Sequence, residues 1–306
     1  MIREKIITDF IGNTPVVQLG FLNDKLYGKI FVKLENKNPG GSVKDRLALA
    51  LIEDGEKRNL INKDTTIIEA SSGNTGIGLA MICASKSYRL ILVMPESVSE
   101  ERKHIIEAYG AEIVLTSSNE GMNGSVIKST ELHSTIKNSY LTCQFDNPAN
   151  PLMHKKTTAV EIWKDMNSNI DIFICGTGTG GTITGVGEYL KSKNRNISII
   201  AIEPENSPVL SGGKAGFHKI QGIGPGFIPS ILNTRIIDEI IKVKDDEAIE
   251  TTRRLAREEG ILCGISSGAN VFGALKIAEK LENKNKNILT IICDTGERYL
   301  STNIFI

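Results

Sequence analysis

The sequence predicts an α/β protein in which parallel strands are covered by helices on both faces. Short apolar runs alternate with helical stretches along the chain. Runs such as TTIIEA and ILTIICD are apolar on both faces, which is typical of strands buried in a parallel sheet. Turns rich in glycine and hydroxyl side chains follow several of these runs. Such an alternation predicts parallel strands joined by right-handed helical crossovers.

The elements follow one another in a regular order. The predicted strands are FVKLE (31–35), TTIIEA (65–70), RLILVMP (89–95), AEIVLT (111–116), SYLTCQ (139–144), DIFICG (171–176), ISIIAIEP (197–204) and ILTIICD (288–294). The predicted helices cover 43–58, 75–86, 99–110, 123–137, 152–166, 182–193, 246–259 and 269–282. The proline-rich NPANP (147–151) separates two halves, and the irregular glycine-rich segment 211–230 is long enough to indicate a functional loop.

Composition excludes several classes of partner. The chain has 306 residues, 40% of them hydrophobic, and 36 basic residues balance 36 acidic ones. Because no stretch is strongly basic, nucleic acid is not an expected partner. No apolar run is long enough to cross a bilayer, and the charged MIREKIITDF does not resemble a signal peptide. The five cysteines are scattered without a CxxC pair, so we expect no metal site and a cytoplasmic location.

The turn CGTGTGGT (175–182) lies between a buried strand and a helix. Gly176, Gly178 and Gly181 fit the pattern GxGxxG, and Glu203 ends the next strand about 20 residues on, as in dinucleotide-binding folds. An NAD-dependent oxidoreductase is therefore one hypothesis. The same glycines allow backbone N–H groups to approach any phosphate, and the hydroxyls of Thr179 and Thr182 add donors that suit a terminal phosphate.

Two further turns have a similar position. SSGNTG (71–76) follows the strand TTIIEA and offers backbone N–H groups and hydroxyls that would suit a carboxylate, although an ordinary polar helix cap is an equal alternative. GISSGA (264–269) is a third turn of this kind before a helix. Open α/β sheets bind ligands at the carboxyl ends of their strands. We therefore expect one cleft that holds a phosphate and a carboxylate.

A lysine stands at the start of the first long helix. Ser42 and Asp45 have the spacing of a capping box, which would place Lys44 in the first helical turn. The positive end of a helix disfavours a cation there and so favours the neutral, nucleophilic amine. A solvated surface lysine is the plain alternative. A reactive lysine together with a phosphate loop predicts pyridoxal 5'-phosphate as the cofactor.

The motifs together resemble those of the O-acetylserine sulfhydrylase (cysteine synthase) family of fold-type-II pyridoxal-phosphate enzymes. The resemblance runs through IGNTP (11–15), NPGGSVKDR (38–46), SSGNTGIGLA (71–80), QFDNPANP (144–151), GTGTGGTITGV (176–186), KIQGIGPGFIP (219–229), GISSGA (264–269) and DTGERYLST (294–302). It implies two three-layer αβα domains with the cofactor cleft between them. The smaller, substrate-closing domain would comprise 1–12 and 37–149, and the larger, phosphate-binding domain 13–36 and 150–306.

The resemblance also implies a role for each matching residue. Lys44 would form the Schiff base and move the α-proton, Asn74 would bond the 3' oxygen of the cofactor, and Ser266 would face the pyridine nitrogen, with Ser267 as the alternative. The phosphate would be held by Gly178, Thr179, Gly180, Gly181 and Thr182. The substrate carboxylate would be held by Ser71, Ser72, Asn74, Thr75 and Gln144, and Gly222 would lie near the substrate amino group.

The implied reaction is β-replacement on a β-substituted alanine through an aminoacrylate, with cysteine formed from O-acetylserine and sulfide. The same mechanism started from cysteine would release hydrogen sulfide and give lanthionine or serine, and a non-catalytic binding protein is a further alternative. Gly40, the pair Ala70-Ser71 and Phe217 depart from the commonest synthase pattern, which leaves the second substrate open. The resemblance implies a homodimer, and serine acetyltransferase is a partner of some relatives.

Overall fold

The described residues, 5–71 and 73–306 of a computed structural model, pack as two units. The smaller unit contains the described residues up to Gly12 together with Asn38–Ala149, and the larger contains Asn13–Lys37 and Asn150–Ile306. Ser72, predicted to bind the substrate carboxylate, lies outside the described residues. Within the described ranges, no helix is both long and apolar enough to span a bilayer.

The smaller unit has a four-stranded parallel sheet in the order β5-β4-β3-β6. Its strands are β3 (Thr66–Ala70), β4 (Arg89–Pro95), β5 (Glu112–Thr116) and β6 (Ser139–Leu141), and its helices are α1 (Lys44–Lys57), α2 (Asn74–Lys86), α3 (Glu100–Ala108) and α4 (Gly121–Thr135). Every residue of the central strand β3 is buried, and Ile67 and Leu92 pack in one apolar cluster with Ile77 and Leu79 of α2. Because all four strands are parallel, their carboxyl ends lie along one edge.

The larger unit has a six-stranded sheet in the order β1-β2-β10-β7-β8-β9, in which only the β1–β2 pair is antiparallel. Its strands are β1 (Val16–Gln18), β2 (Lys29–Leu34), β7 (Ile172–Gly176), β8 (Ser198–Pro204), β9 (Glu239–Val243) and β10 (Asn287–Ile292). Its helices are α5 (Ala149–Lys156), which begins at the unit boundary, α6 (Thr158–Asp165), α7 (Gly181–Lys193), α8 (Asp245–Glu259) and α9 (Ile265–Ala278).

Alternate residues of these strands enter two different apolar clusters. Ile172 and Ile174 of β7 pack in one cluster, whereas Phe173 and Cys175 pack in the other. Since neighbouring side chains of a strand point to opposite faces, both faces of the sheet are covered. The predicted α/β class with helices on both faces of a parallel sheet is therefore confirmed.

Several elements differ from the sequence prediction, among them the strand predicted over 139–144, which ends at Leu141. The short strands β1 and β9 were not predicted, because β1 has only three residues and β9 is a half-exposed edge strand. The single helix predicted over 152–166 is two helices, which are interrupted where Thr157 has φ −120° and ψ −75°. Helix α9 begins at Ile265, earlier than predicted, so Ser266 and Ser267 lie in its first turn.

Candidate active site

The turn before α1 is held by Asp45. The backbone N–H of Gly40 donates to Asp45 Oδ2 over 2.6 Å, and Ser42 Oγ donates to Asp45 Oδ1 over 3.4 Å. Helix α1 begins at Lys44, and the residue at the N-cap position is Val43, not Ser42 as the capping-box pattern predicts. Ser42 Oγ instead accepts from the backbone N–H of Lys44. Lys44 is half-buried at the first position of the helix.

Two glycines shape the surroundings of Lys44. A Cβ atom on Gly40 would lie 2.7 Å from Asp45 Oδ1, so the glycine allows its backbone to contact this carboxylate directly. In α2, a Cβ on Gly78 would lie 3.1 Å from the backbone oxygen of Lys44. The two helices therefore pack closely at the level of the lysine, which fixes the backbone from which its side chain extends.

The predicted carboxylate loop joins β3 to α2. Ser71 Oγ accepts from the backbone N–H groups of Gly73 and Gly76, at 3.4 and 3.0 Å. Asn74 is the first residue of α2, and Thr75 donates from Oγ1 to Gln144 Oε1 over 2.8 Å. Ser71, Thr75 and Gln144 are buried. The smaller unit thus brings together Thr75 and Gln144, which are far apart in sequence.

Glu69 is a residue of this region that the sequence prediction missed. It is 3% exposed, and its carboxylate accepts hydrogen bonds from the Thr142 hydroxyl and from Gln144 Nε2. Burial raises the pKa of Glu69 from an ordinary value of 4.5 to about 7, although hydrogen bonds to the carboxylate act in the opposite direction. The signal available in the sequence was a lone acid in the otherwise apolar strand TIIEA.

The predicted phosphate loop joins β7 to α7. Gly180 has a left-handed φ of 82°, and Gly181 is the first residue of α7, a helix of 13 residues. Asn150 Nδ2 donates to Thr179 Oγ1 over 3.0 Å, and His154 Nε2 lies 3.2 Å from Thr182 Oγ1. Helix α5 therefore supports both threonine hydroxyls of the loop.

The donor set of this loop suits a phosphate. The first backbone N–H groups of a helix have no acceptor within the helix, and the helix dipole favours an anion there. The segment 175–187 contains no acidic residue that would repel a phosphate. At the start of the loop, the backbone N–H of Gly176 donates to Asn270 Oδ1 over 2.7 Å, which fixes the loop to α9. The residues present fit the phosphate of the predicted cofactor.

Three predicted elements of the larger unit meet at Gly222. This residue has a left-handed φ of 97°, and a Cβ atom on Gly178 would collide with its backbone oxygen. A Cβ atom on Gly222 itself would lie 3.8 Å from Ser266 Oγ. The hydroxyl of Ser267 instead accepts from the backbone N–H of Cys293 over 2.8 Å. The phosphate loop, the Gly222 loop and Ser266 are therefore neighbours, while Ser267 is engaged elsewhere.

Neither a metal site nor a disulfide is part of the described site. Across residues 5–71 and 73–306, no group of three or more histidine, cysteine or acidic side chains is arranged to hold a metal ion. All five cysteines are free thiols. Glu203, which the dinucleotide hypothesis required, accepts from the backbone N–H groups of Leu210 and Ser211. Its carboxylate is thereby engaged with the protein's own backbone.

Known proteins are similar to this chain over nearly its whole length. A family model described as "Pyridoxal-phosphate dependent enzyme" matches residues 7–294. A cysteine synthase of Staphylococcus aureus is 52% identical over 301 residues, which cover 98% of this chain and 96% of that protein.

Solved structures are equally similar. A hydrogen sulfide-producing enzyme from Fusobacterium nucleatum superposes with a TM-score of 0.93 at 47% identity, covering 97% of this chain and 100% of that one. A cysteine synthase from Entamoeba histolytica superposes with a TM-score of 0.94 at 42% identity, covering 100% of this chain and 92% of that one. With its two glycine- and hydroxyl-rich loops and its helix-initial lysine, the chain belongs to the family of pyridoxal-phosphate dependent enzymes.

Proposed function

We propose that this chain is a β-replacing enzyme that forms cysteine from O-acetylserine and sulfide with pyridoxal 5'-phosphate as its cofactor. The observation that carries the proposal is the donor chemistry of the two loops. The larger unit presents a helix start and two threonine hydroxyls that suit a phosphate. The smaller unit presents Ser71 and Thr75 around the start of α2, and Lys44 at the first position of α1.

The residues of the larger unit would hold the cofactor. The backbone and hydroxyls of Gly178, Thr179, Gly180, Gly181 and Thr182 would bind its phosphate, and Ser266 would accept or donate at its pyridine nitrogen. A hydroxyl is a neutral partner, and it therefore stabilises a carbanion less than a carboxylate would. When bound, the cofactor supplies an electron sink for the α-carbon, which allows a β-substituent to leave.

The residues of the smaller unit would handle the amino acid. Lys44 Nζ would anchor the cofactor aldehyde and accept the proton from the α-carbon of the substrate. Asn74 would hydrogen-bond the 3' oxygen of the cofactor. The substrate carboxylate would be held by Ser71, Ser72, Asn74, Thr75 and Gln144, and the Gly222 loop of the larger unit would contact the amino group.

Visible absorption of the purified protein tests the cofactor and the lysine. We expect a yellow protein whose visible band is lost in Lys44→Ala at the same cofactor content. The matched control is Lys57→Ala, an exposed lysine at the other end of α1, which should keep the band. A colourless wild-type protein, or a Lys44→Ala protein with an unchanged band, would contradict the proposal.

Product identification tests the reaction. We expect the holoenzyme to form cysteine from O-acetylserine and sulfide faster than it releases sulfide from cysteine. The opposite ratio would favour the second candidate, a cysteine-consuming enzyme, which the similarity to the hydrogen sulfide-producing enzyme of Fusobacterium nucleatum supports. Absence of both reactions in a cofactor-loaded protein would overturn the proposed function.

We further propose that the chain forms a homodimer in the cytoplasm and that the C-terminal peptide of a serine acetyltransferase can dock at its active site. The resemblance to cysteine synthases supports these proposals. Light scattering would give the oligomeric state, and a monomer would contradict the first proposal. Competition between such a peptide and O-acetylserine would test the second, and a peptide without effect would contradict it.

A further inference from the structure

Glu69 is an unusual residue for the position it occupies. It stands next to the end of the central strand β3, where every residue is buried, and it is 3% exposed. Moving a carboxylate from water into such a site is costly unless several donors surround it. A carboxyl group in such a site therefore indicates that hydrogen-bond donors of the protein surround its oxygens.

The donors come from the segment that follows β6. Thr142 donates its hydroxyl to Glu69 Oε2, and Gln144 donates from Nε2 to Glu69 Oε1 over 3.0 Å. The backbone N–H groups of Cys143 and Gln144 also bond this carboxylate. Cys143 has a left-handed φ of 55°, which turns these successive N–H groups toward one point. Such a concave arrangement of backbone N–H groups is a binding site for an anion.

The four donors are all neutral, so the carboxyl group is held by hydrogen bonds and not by an ion pair. Strand pairing ends at the same level, where the backbone N–H of Thr142 donates to the backbone oxygen of Ile68 over 3.2 Å. Beyond this point, the path of the segment 142–144 is set by the Glu69 carboxylate instead of by a neighbouring strand. Glu69 therefore replaces the missing strand pairing.

The amide of Gln144 has one orientation that satisfies these partners. Its Nε2 group faces two acceptors, Glu69 Oε1 and the backbone oxygen of Ala70, each at 3.0 Å. An amide turned the other way would place its oxygen against both acceptors. Its Oε1 atom is consequently turned toward Thr75, whose hydroxyl donates to it over 2.8 Å.

We infer that Glu69 is a positioning residue that fixes the amide of Gln144, and through it the hydroxyl of Thr75, in the loop that receives the substrate carboxylate. The inference rests on the proposed function and deepens it. It also defines how Gln144 contributes to the carboxylate loop. In this conformation its amide group donates to Glu69 and to the backbone oxygen of Ala70, so Gln144 supports the loop through its bond with Thr75. Without an acceptor at position 69, the amide keeps only the backbone oxygen of Ala70 as an acceptor, so it holds Thr75 at the start of α2 less firmly and the loop loses affinity for a carboxylate.

Three substitutions at one position separate this role from simple stability. Glu69→Gln keeps an acceptor oxygen for Gln144, because the Thr142 hydroxyl can rotate to accept from the new amide. Glu69→Met keeps a similar volume but removes the acceptor. Glu69→Asp keeps the charge but withdraws it by one methylene. The control is Thr65→Val, at the residue that precedes β3. It removes a buried hydroxyl that donates to Asn138 Oδ1, at the end of the strand away from Glu69.

Calorimetric binding to the holoenzymes gives the decisive measurement. L-Alanine carries a carboxylate but no leaving group, and L-alaninol has an uncharged hydroxymethyl group in place of the carboxylate. We expect Glu69→Met and Glu69→Asp to bind L-alanine about tenfold more weakly or worse, because the first turn of α2, which offers backbone N–H groups to a carboxylate, is held less firmly when the bond from Thr75 to Gln144 is weakened. Their affinity for L-alaninol should change less than about twofold, and Glu69→Gln should stay within about threefold of wild type for both ligands.

Kinetics supply an independent test. For Glu69→Met and Glu69→Asp, the KM for O-acetylserine should rise by about the same factor as the L-alanine dissociation constant, with a smaller change in kcat. If Glu69→Met does not retain its cofactor, Glu69→Asp decides the outcome. Equal losses for L-alanine and L-alaninol, or unchanged L-alanine affinity in these two variants, would overturn the inference. Failure of the proposed function would show instead in wild type, as the absence of cysteine formation.

Discussion

Glu69 should make the stability of the smaller unit depend on pH. Below pH 4.5 its carboxyl group is protonated in both the folded and the unfolded chain. Between pH 4.5 and about 7, the unfolded chain releases this proton while the folded chain retains it, because burial raises the pKa of Glu69. Each rise in pH through this interval therefore favours unfolding, and above the interval the effect is constant.

The expected size of the effect follows from the same two pKa values. Each pH unit between 4.5 and about 7 is worth about 1.4 kcal/mol, which gives about 3 kcal/mol over the whole interval. Measured near pH 5 and near pH 8, the loss should be about 2 kcal/mol, since the unfolded chain has already lost part of its protons at the lower pH. The amide of Glu69→Gln does not titrate, so this part of the pH dependence should disappear in that variant.

Hydrogen exchange of the β3 amides is the appropriate assay. These amides lie in the central strand of the smaller unit, and their exchange reports the free energy of opening that unit. After correction for the intrinsic effect of pH on exchange, wild type should lose about 2 kcal/mol more than Glu69→Gln between the two conditions. Thr65→Val should behave like wild type. Equal pH dependence in wild type and Glu69→Gln would refute the reasoning.

Two further substitutions test the larger unit. Gly178→Ala should weaken cofactor binding by about tenfold or more, because its Cβ would displace the Gly222 backbone at a cost of about 1–3 kcal/mol. The control Gly20→Ala, at a position where a Cβ has room, should leave the affinity unchanged. Cofactor titration of the apoenzymes measures both affinities, and equal values would contradict the expectation. Lys33→Met should lower the free energy of unfolding by about 3 kcal/mol, because it removes the cation that lies 3.0 Å from the carboxylate of Glu161. Hydrogen exchange of the β2 amides would measure the loss, with Lys29→Met, at an exposed position of the same strand, as the control. Equal protection of the β2 amides in the two variants would refute the prediction.

The fold class was predictable because the strands are apolar on both faces, a pattern that few other structures produce. The cofactor and the family were predictable because each loop motif has a glycine or hydroxyl where a backbone must approach an anion. Strand β9 was not predictable, since EIIKV is short and half-exposed and it acquires its structure only by pairing with β8.

Some features of the site depend on contacts between distant segments, and sequence patterns do not record these. Glu69 acquires its raised pKa from burial under β6 and the segment after it, which lies about 70 residues further along the chain. Helix α9 begins earlier than its apolar pattern indicates, and Ser267 in its first turn accepts a hydrogen bond from the backbone N–H of Cys293, which lies far along the chain. The roles of Ser71, Asn74, Gln144 and the phosphate loop stay predictions.

The order of strands in the larger sheet has a consequence for biosynthesis. Strand β2 pairs along its whole length with β10, which is also the partner of β7, although β2 emerges from the ribosome long before β10. The strands of the smaller sheet are all synthesised between these two events. The smaller sheet can therefore form while the chain is growing, whereas the edge of β2 that pairs with β10 stays unpaired until β10 has been synthesised. A nascent chain that stalls before β10 is thus expected to be the species that most needs a chaperone.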